Sequence, residues 1–230
     1  MYSTGNSEKA ATYYDQVYRR GYNTRAYYSI YNETIKIIEK LNAPRVLEVG
    51  CGTGDLARLI TGRGVPYRGF DFSGEGIACC KRSCPQGDFR VADAYDPESY
   101  LPHDYNIVVA IEVLEHLDDL KVIGHLPPGV RLIASVPDFS NIAHLRVYQD
   151  TQTDIIERFK PYVIVNGITR IVLRLKEQTA PLTFYLFAGI TQPRRQGDGV
   201  AGCLAKAAAV PRRISSKVGR NDPCPCRSGK

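Results

Sequence analysis

The chain has 230 residues, of which 43% are hydrophobic and 23% charged, and its formal net charge is +6. This length leaves room for one principal domain whose core is stable without covalent crosslinks. The seven cysteines are odd in number and several fall within predicted regular elements, which argues against a secreted disulfide framework. No segment has the length and apolar character of a membrane span, and the first residues lack a signal-peptide pattern. We therefore expect a cytoplasmic protein without membrane contact.

The first 40 residues are rich in tyrosine and are predicted to be helical. Tyr14, Tyr18 and Tyr22 recur every four residues, which places them on one side of a helix. One interpretation is an amphipathic helix that packs on a sheet with its hydroxyl groups toward water. Residues 34–41 form a second amphipathic pattern that leads into the first predicted strand.

Residues 46–55, Val-Leu-Glu-Val-Gly-Cys-Gly-Thr-Gly-Asp, combine a strand, a turn and the start of a helix. The apolar residues of the first part suit a buried parallel strand. Gly50, Gly52 and Gly54 let the backbone turn tightly and bring its N–H groups close to a ligand. Glu48 is unusual in a buried strand, because an unpaired buried carboxylate is costly. A cationic ligand group or an ordered backbone amide would remove this cost.

Four further strands are predicted downstream with ordinary spacings: 67–71, 89–94, 105–111 and 130–136. The second and third strands of the chain end in carboxylates, those of Asp71 and Asp93. Ser73 is a candidate N-cap for the helix after the second strand. Considered alone, Asp71 fits a helix-capping or surface acid, and Asp93 fits a loop residue that makes a local turn bond.

The Glu-x-Gly-x-Gly-x-Gly arrangement of residues 48–54 resembles the first motif of class I S-adenosylmethionine (SAM)-dependent methyltransferases. The fingerprint of NAD-dependent oxidoreductases fits less well, because its third glycine would fall on Thr53 or Asp55. The acids that end the second and third strands follow in the order found in this family. The segment 112–116, Glu-Val-Leu-Glu-His, resembles the family's fourth motif, which lies under the methionine part of SAM.

The resemblance implies an α/β fold, a Rossmann-like doubly wound sheet of seven strands that is mostly parallel with an antiparallel C-terminal hairpin. Two late segments rich in β-branched and aromatic residues, 162–175 and 181–189, are expected to form that hairpin. The chain then divides into an N-terminal helical lid (1–40), a SAM-dependent methyltransferase domain (41–192) and a basic, flexible tail (193–230).

The resemblance also implies which residues bind SAM. Those of the first motif are Glu48, Gly50, Cys51, Gly52 and Gly54. Asp71 would accept hydrogen bonds from both ribose hydroxyls, and Phe72 would pack on the adenine. Asp93 would reach the adenine amino group, and the backbone N–H of Ala94 would face the ring.

Residues of the lid and of the fourth motif complete the implied cofactor site. Many class I methyltransferases begin with a Tyr-Tyr-Asp-x-x-Tyr helix that folds over the active site, and residues 13–18 match this pattern. On that resemblance Tyr14 would contact the methionine carboxylate, and Tyr18 or Arg19 would line the substrate entrance. Glu112 would touch the cofactor or the substrate.

Two histidines are candidate catalytic residues. His116, one turn after Glu112 on an expected helix, is either a general base or a packing residue. His144, Arg146 and Tyr148 follow the fifth strand, where this family builds a wall of the substrate pocket. Arg146 could hold a carboxylate or phosphate in a bidentate grip. The alternative for this cluster is a solvated loop.

The C-terminal tail differs in composition from the rest of the chain. Residues 193–230 contain nine Lys or Arg and two Asp, so their net charge of +7 leaves −1 for the preceding part. Such tails are commonly disordered and bind nucleic acid or acidic surfaces. The last twelve residues, with Cys224 and Cys226, resemble the first half of the SEC-C zinc motif. Because zinc needs four ligands and this half-motif offers two, we expect no metal site.

The predicted function is transfer of the SAM methyl group to an oxygen or nitrogen of a small-molecule or peptide acceptor. The 112–116 segment resembles small-molecule and quinone-type methyltransferases, and also certain wobble-uridine tRNA enzymes. Alternatives are therefore a tRNA-modifying methyltransferase and a non-catalytic SAM-binding interaction module. A weak nucleic-acid or ribosome contact through the basic tail is a further expectation. The sequence leaves the oligomeric state open.

Overall fold

A computed structural model describes residues 1–22, 24–149, 151–174 and 181–193, and a seven-stranded sheet is its main feature. The strands are β1 (Val46–Val49), β2 (Tyr67–Asp71), β3 (Asp88–Val91), β4 (Ile107–Ala110), β5 (Arg131–Pro137), β6 (Val163–Leu173) and β7 (Leu182–Thr191). Their order is β3-β2-β1-β4-β5-β7-β6, with the first five parallel and β7 antiparallel to both of its neighbours. The predicted Rossmann-like α/β class, with its antiparallel C-terminal hairpin, is confirmed.

Helices connect the parallel strands and cover the sheet. The α-helices are α1 (Ala11–Arg19), α2 (Tyr28–Glu39), α3 (Asp55–Thr61), α4 (Gly74–Ser83), α5 (Asp119–Ile123) and α6 (Thr151–Phe159). Short 3-10 helices lie at Thr24–Tyr27, Pro97–Tyr100 and Leu114–His116. The predicted N-cap of α4 is confirmed, because the Ser73 hydroxyl oxygen accepts a hydrogen bond from the Gly76 N–H at 3.0 Å.

The central strands are buried on both faces. On β4, Val108 and Ala110 pack in one core cluster, whereas Ile107 and Val109 pack in the other. This division follows from the alternation of side chains along a strand, and it explains why the strands are continuous apolar runs. The carboxyl ends of the parallel strands consequently meet at one edge of the sheet, where the polar residues of the motifs collect.

The N-terminal region is helical only in part. Residues 1–10 precede α1, and Tyr2–Ser3 pairs antiparallel with Arg146–Val147 in a short ribbon. The Thr4 N–H extends this pairing by donating to the Leu145 carbonyl at 3.0 Å. The beginning of the predicted helical lid is thus an extended segment attached to the loop after β5.

Two element boundaries differ from prediction: the start of the helix expected at Glu112 and the end of the strand before Asp93. Glu112 has a φ of +57°, which no right-handed helix can contain, so the expected helix from this residue is wrong. Only Leu114–His116 forms a 3-10 turn there. Strand β3 ends at Val91, so Asp93 lies two residues beyond the strand.

Residues 194–230 lie outside the described residues, and so do the predicted zinc-like cysteines, Cys224 and Cys226. Within the part of the chain that the structure describes, every helix is too short or too polar to span a bilayer.

The stacked rings of Phe159 and Phe187 provide a test of the core. Both side chains are fully buried, and their ring centroids lie 4.9 Å apart. We expect Phe187→Ala to lower the free energy of unfolding by about 3–5 kcal/mol, because it removes buried area and leaves a cavity. The side chain of Val172 on β6 is partly exposed, so Val172→Ala should lower the free energy of unfolding by less than about 1 kcal/mol. Urea denaturation measures both, and equal losses would contradict this assignment of the core.

Candidate active site

The glycine loop after β1 is held against the end of β2 by backbone hydrogen bonds. The N–H groups of Gly50 and Cys51 both donate to the Phe70 carbonyl, at 2.8 and 3.1 Å. A Cβ at position 50 would lie 2.5 Å from the Val113 side chain, so only glycine fits there. The loop glycines also have positive φ angles, +69° at Gly50, +53° at Gly52 and +82° at Gly54.

Asp71, at the end of β2, fixes the far side of this loop. One carboxylate oxygen accepts from the Gly52 N–H and the other from the Ser73 N–H, both at 2.9 Å. Burial raises the pKa of Asp71 to about 6, and the backbone hydrogen bonds act in the opposite direction. Each carboxylate oxygen has a second lone pair, so the group can accept two further hydrogen bonds. The two hydroxyl groups of a diol could donate them.

Glu48 lies buried on β1 beside the loop. Its carboxylate accepts a hydrogen bond from the Tyr67 hydroxyl at 2.7 Å, a partner that sequence reasoning missed. A cationic ligand group and a backbone amide were the two partners considered from the sequence, and the structure adds a third, a phenol from the neighbouring strand. Burial raises the pKa of Glu48 to about 8 despite this hydrogen bond, so the side chain is mostly neutral at pH 7.

Helix α1 covers the glycine loop. The Asp15 carboxylate accepts hydrogen bonds from the Ser73 hydroxyl at 2.6 Å and from the Glu75 N–H at 3.2 Å, and Arg19 pairs with Glu75 at 2.7 Å. These contacts bring Tyr18 over the loop, where a Cβ at Gly52 would lie 3.2 Å from its hydroxyl. Burial raises the pKa of Tyr18 well above its ordinary value.

A cleft lies beside the loop. Of the predicted site residues, it is lined by Tyr18, Glu48, Gly50, Cys51, Gly52 and Glu112. Its wall also contains aromatic residues that sequence reasoning did not assign to a site, namely Tyr22, Tyr27 and Tyr31. Their helical spacing was the available signal, but it does not distinguish packing from lining a cleft.

Glu112 lies at the carboxyl end of β4, at the edge of this cleft. Its N–H donates to the Ser135 hydroxyl oxygen at 2.9 Å, and that hydroxyl donates to the Glu112 carboxylate at 2.7 Å. This pair of bonds holds the residue in its left-handed conformation and turns the chain toward Leu114–His116.

His116 and His144 come together although 28 positions separate them, with ring centroids 5.0 Å apart. The Nδ1 atoms lie 3.1 Å from the Ala143 carbonyl for His116 and 3.0 Å from the Phe139 carbonyl for His144. Burial lowers their pKa values to about 4 and about 3, so both imidazoles are neutral at pH 7. Tyr14 lies beside this pair, with its ring centroid 6.0 Å from that of His116.

Glu115 completes a group that has the composition of a metal site. Its buried carboxylate oxygen lies 3.7 Å from the Nε2 atom of His116. One ligand atom from each of Glu115, His116 and His144 can be chosen so that all lie within 4.8 Å of one another.

The family model for a methyltransferase domain matches residues 19–159, more than half of the chain. The chain belongs to this family. A ubiquinone biosynthesis O-methyltransferase of Thiobacillus denitrificans is 31% identical to this methyltransferase-domain protein over 83 residues, which cover 34% of this chain and 36% of that enzyme. The chain thus spans between a third and a half of the length of the curated O-methyltransferases it matches.

Solved structures share the fold at low sequence identity. The magnesium protoporphyrin IX methyltransferase of Synechocystis, crystallised with SAM, has a TM-score of 0.58 and 16% identity, covering 82% of this chain and all of that one. The cyclase SpnF has a TM-score of 0.60 and 14% identity, covering 84% and 100%. The predicted methyltransferase identity is confirmed at the level of the family.

Three predicted adenine contacts lie outside the cleft of this methyltransferase-domain protein. Phe72 is 39% exposed, with its ring 5.3 Å from that of Tyr14. The exposed Asp93 carboxylate accepts from the Tyr95 N–H at 2.9 Å, which is the local turn bond considered above. Ala94 follows it. Their roles toward adenine stay predictions.

Arg146 and Tyr148, of the predicted substrate cluster, make contacts within the fold, and their roles toward a substrate stay predictions. Both side chains are directed to Asp119, which is fully buried: the Tyr148 hydroxyl donates to it at 2.8 Å and an Arg146 nitrogen lies 3.5 Å away. Arg158 adds a shorter ion pair at 2.6 Å. A buried carboxylate requires such partners, so these polar groups stabilise the fold. His144 alone of the cluster joins His116.

The buried Glu48 predicts a pH-dependent stability. Because its pKa is raised from 4.5 to about 8, the folded state binds more protons than the unfolded state between these values, and stability falls as pH rises through this window. Glu48→Gln cannot ionise, so between pH 5 and 8 it should gain about 3–5 kcal/mol relative to the wild type. Urea denaturation at several pH values tests this. Glu33→Gln, at a partly exposed site of α2, should show no such trend.

Proposed function

We propose that this protein is a SAM-dependent methyltransferase that methylates an oxygen or nitrogen of a small-molecule or peptide acceptor. The observation that carries the proposal is the glycine loop locked to Asp71 through the Gly52 N–H, at the carboxyl edge of a parallel sheet. Such an edge is where open α/β sheets bind nucleotide ligands. Membership of the methyltransferase-domain family supports the same conclusion.

The residues at this edge match the parts of SAM. Asp71 accepts hydrogen bonds from the ribose hydroxyls with its remaining lone pairs. Tyr14 contacts the methionine carboxylate, and Glu112 reaches the same end of the cofactor from β4. Glu48 becomes ionised near the cationic sulfonium or ammonium group, which removes the cost of its burial. The adenine lies toward Phe72, with Asp93 at its amino group and the N–H of Ala94 facing the ring.

Helix α1 is the lid of the site. The position of Tyr18 against the glycine loop supports a closed arrangement of this lid, and in the proposed cycle α1 moves outward before SAM enters. Return of the helix excludes water from the reacting groups, which favours transfer to the acceptor over side reactions. The Asp15 and Arg19 contacts to α4 are the bonds that break and re-form in this cycle.

The acceptor approaches from the side of His116 and His144. The sulfonium of SAM is already activated, so catalysis consists mainly of aligning the nucleophile, the methyl carbon and the sulfur. His116 lies behind Tyr14 and is the residue we assign to the acceptor nucleophile, with His144 beside it. As a general base it would be weak, because burial lowers its pKa to about 4.

A small acceptor is favoured over a large nucleic acid. The first 192 residues have a net charge near zero, which gives no broad basic surface for RNA. The similar O-methyltransferases of ubiquinone biosynthesis bear names that imply small substrates. A tRNA-modifying role would depend on the basic tail, which lies outside the described residues.

Calorimetry should show that SAM and S-adenosylhomocysteine bind and that NAD does not. Asp71→Ala should weaken SAM binding by about 1–3 kcal/mol, because the ribose hydroxyls lose their acceptor in a buried site. Asp88→Ala, at an exposed position of β3, should leave the affinity unchanged. Binding of NAD in place of SAM would refute the proposed cofactor.

Profiling of metabolites and peptides with methyl-labelled SAM identifies the acceptor. With that acceptor, His116→Ala should lower turnover about a hundredfold or more while SAM affinity stays nearly constant. His103→Ala, at an exposed histidine, is the matched control and should retain full turnover. Full turnover in His116→Ala would assign His116 to packing alone.

A further inference from the structure

The backbone contacts of the histidine pair fix the tautomer of both rings. A carbonyl oxygen can only accept, so the Nδ1 atoms of His116 and His144 donate to the carbonyls of Ala143 and Phe139. The proton of each neutral ring is then on Nδ1, and the lone pair is on Nε2. Histidines that bind metals are commonly oriented by such a second bond.

Asn141 independently supports this assignment for His144. Its side-chain oxygen accepts from the N–H groups of Ala143 and His144, at 2.7 and 3.1 Å, which fixes the orientation of the amide. Its NH₂ group therefore faces the Nε2 atom of His144 at 2.8 Å and donates to it. The Nε2 atom carries a lone pair that a stronger electron acceptor can take over.

Glu115 brings a negative charge to the same point. Its side chain is fully buried, and a buried carboxylate is stabilised most effectively by a nearby cation. The backbone holds it in place, because the Leu145 N–H donates to the Glu115 carbonyl at 2.6 Å. That bond joins the turn after β4, which carries Glu115 and His116, to the loop that carries His144. The backbone therefore fixes the positions of the three residues relative to one another.

We propose that Glu115, His116 and His144 bind a divalent transition-metal ion next to the cofactor cleft. Two imidazole nitrogens and one carboxylate oxygen suit first-row metals such as Mn²⁺, Fe²⁺, Co²⁺ or Zn²⁺, and three protein ligands leave positions for an acceptor. On binding, the Asn141 amide gives up its bond to His144. The expectation of no metal site rested on the tail, which offers only two cysteine ligands. The cluster proposed here consists of other residues, to which that expectation does not apply.

The use of the metal rests on the proposed function and narrows it to a hydroxyl acceptor. A hydroxyl oxygen bound to the metal loses its proton to solvent near neutral pH, because the cation lowers its pKa. The resulting alkoxide or phenoxide attacks the methyl carbon, the carbon–sulfur bond breaks, and its electron pair stays on the sulfur of S-adenosylhomocysteine. The metal thus performs the activation of the acceptor hydroxyl.

The test is titration of chelator-treated full-length protein with Mn²⁺, with the free ion followed by electron paramagnetic resonance. Mn²⁺ prefers oxygen and nitrogen ligands, so the tail cysteines compete little. We expect one tightly bound ion per chain, and at least about tenfold weaker binding in Glu115→Gln and in His144→Ala. His103→Ala should bind as the wild type does.

Calorimetry with S-adenosylhomocysteine on the same variants separates the two proposals and confirms folding. Cofactor binding without site-dependent Mn²⁺ binding would overturn the metal site and leave the methyltransferase proposal standing. Mn²⁺ binding that is lost in Glu115→Gln, in a protein that binds no SAM, would uphold the metal site and refute the proposed function. Equal Mn²⁺ affinity in the wild type and both variants would overturn the metal site.

Discussion

The carboxylate of Asp71 is the interaction on which the geometry of the site depends. It connects the end of β2 to the glycine loop after β1 through Gly52 and to the first turn of α4 through Ser73. The Ser73 hydroxyl in turn donates to Asp15 on α1. One buried acid therefore sets the positions of the loop, of α4 and of the helix that covers them both.

Buried acids are concentrated at this edge of the sheet. Glu48 and Asp71 both have raised pKa values, because burial disfavours the ionised form more than their hydrogen bonds favour it. Glu115 is fully buried on the acceptor side. Among the described residues, neither Glu48 nor Asp71 pairs with a lysine or an arginine, and this agrees with the proposal that positive charge comes from a ligand, a sulfonium on one side and a metal ion on the other.

The sheet and the cofactor loop could be predicted because their signals are local. Apolar runs, positive-φ glycines and a Ser N-cap each follow from backbone geometry within a few residues. The contacts of Arg146 and Tyr148 with Asp119 could not be predicted for the opposite reason: Asp119 is distant in sequence, and nothing near it marks it as fully buried. The pairing of His116 with His144 likewise depends on how the loop after β5 folds back.

The left-handed conformation of Glu112 could not be predicted from the neighbouring sequence either. A Glu-x-x-Glu-His sequence has good helix formers, and the hydroxyl that holds Glu112 in place comes from Ser135 on another strand. Tertiary hydrogen bonds override propensity there. The Tyr67 hydroxyl that partners Glu48 is a second case, since strand register decides which side chains meet.

The short ribbon between Tyr2–Ser3 and Arg146–Val147 attaches the chain ahead of α1 to the loop after β5. The Asn6 amide also donates to the carbonyls of Asn141 and His144, so the chain ahead of α1 is tied to the loop that carries His144. Helix α1 is consequently a strap fastened at both ends. The stretch from Asn6 to Ala11 can extend to about 17 Å, so under the proposed lid role the swing of the helix would be limited and cofactor exchange would pull on the loop that carries His144.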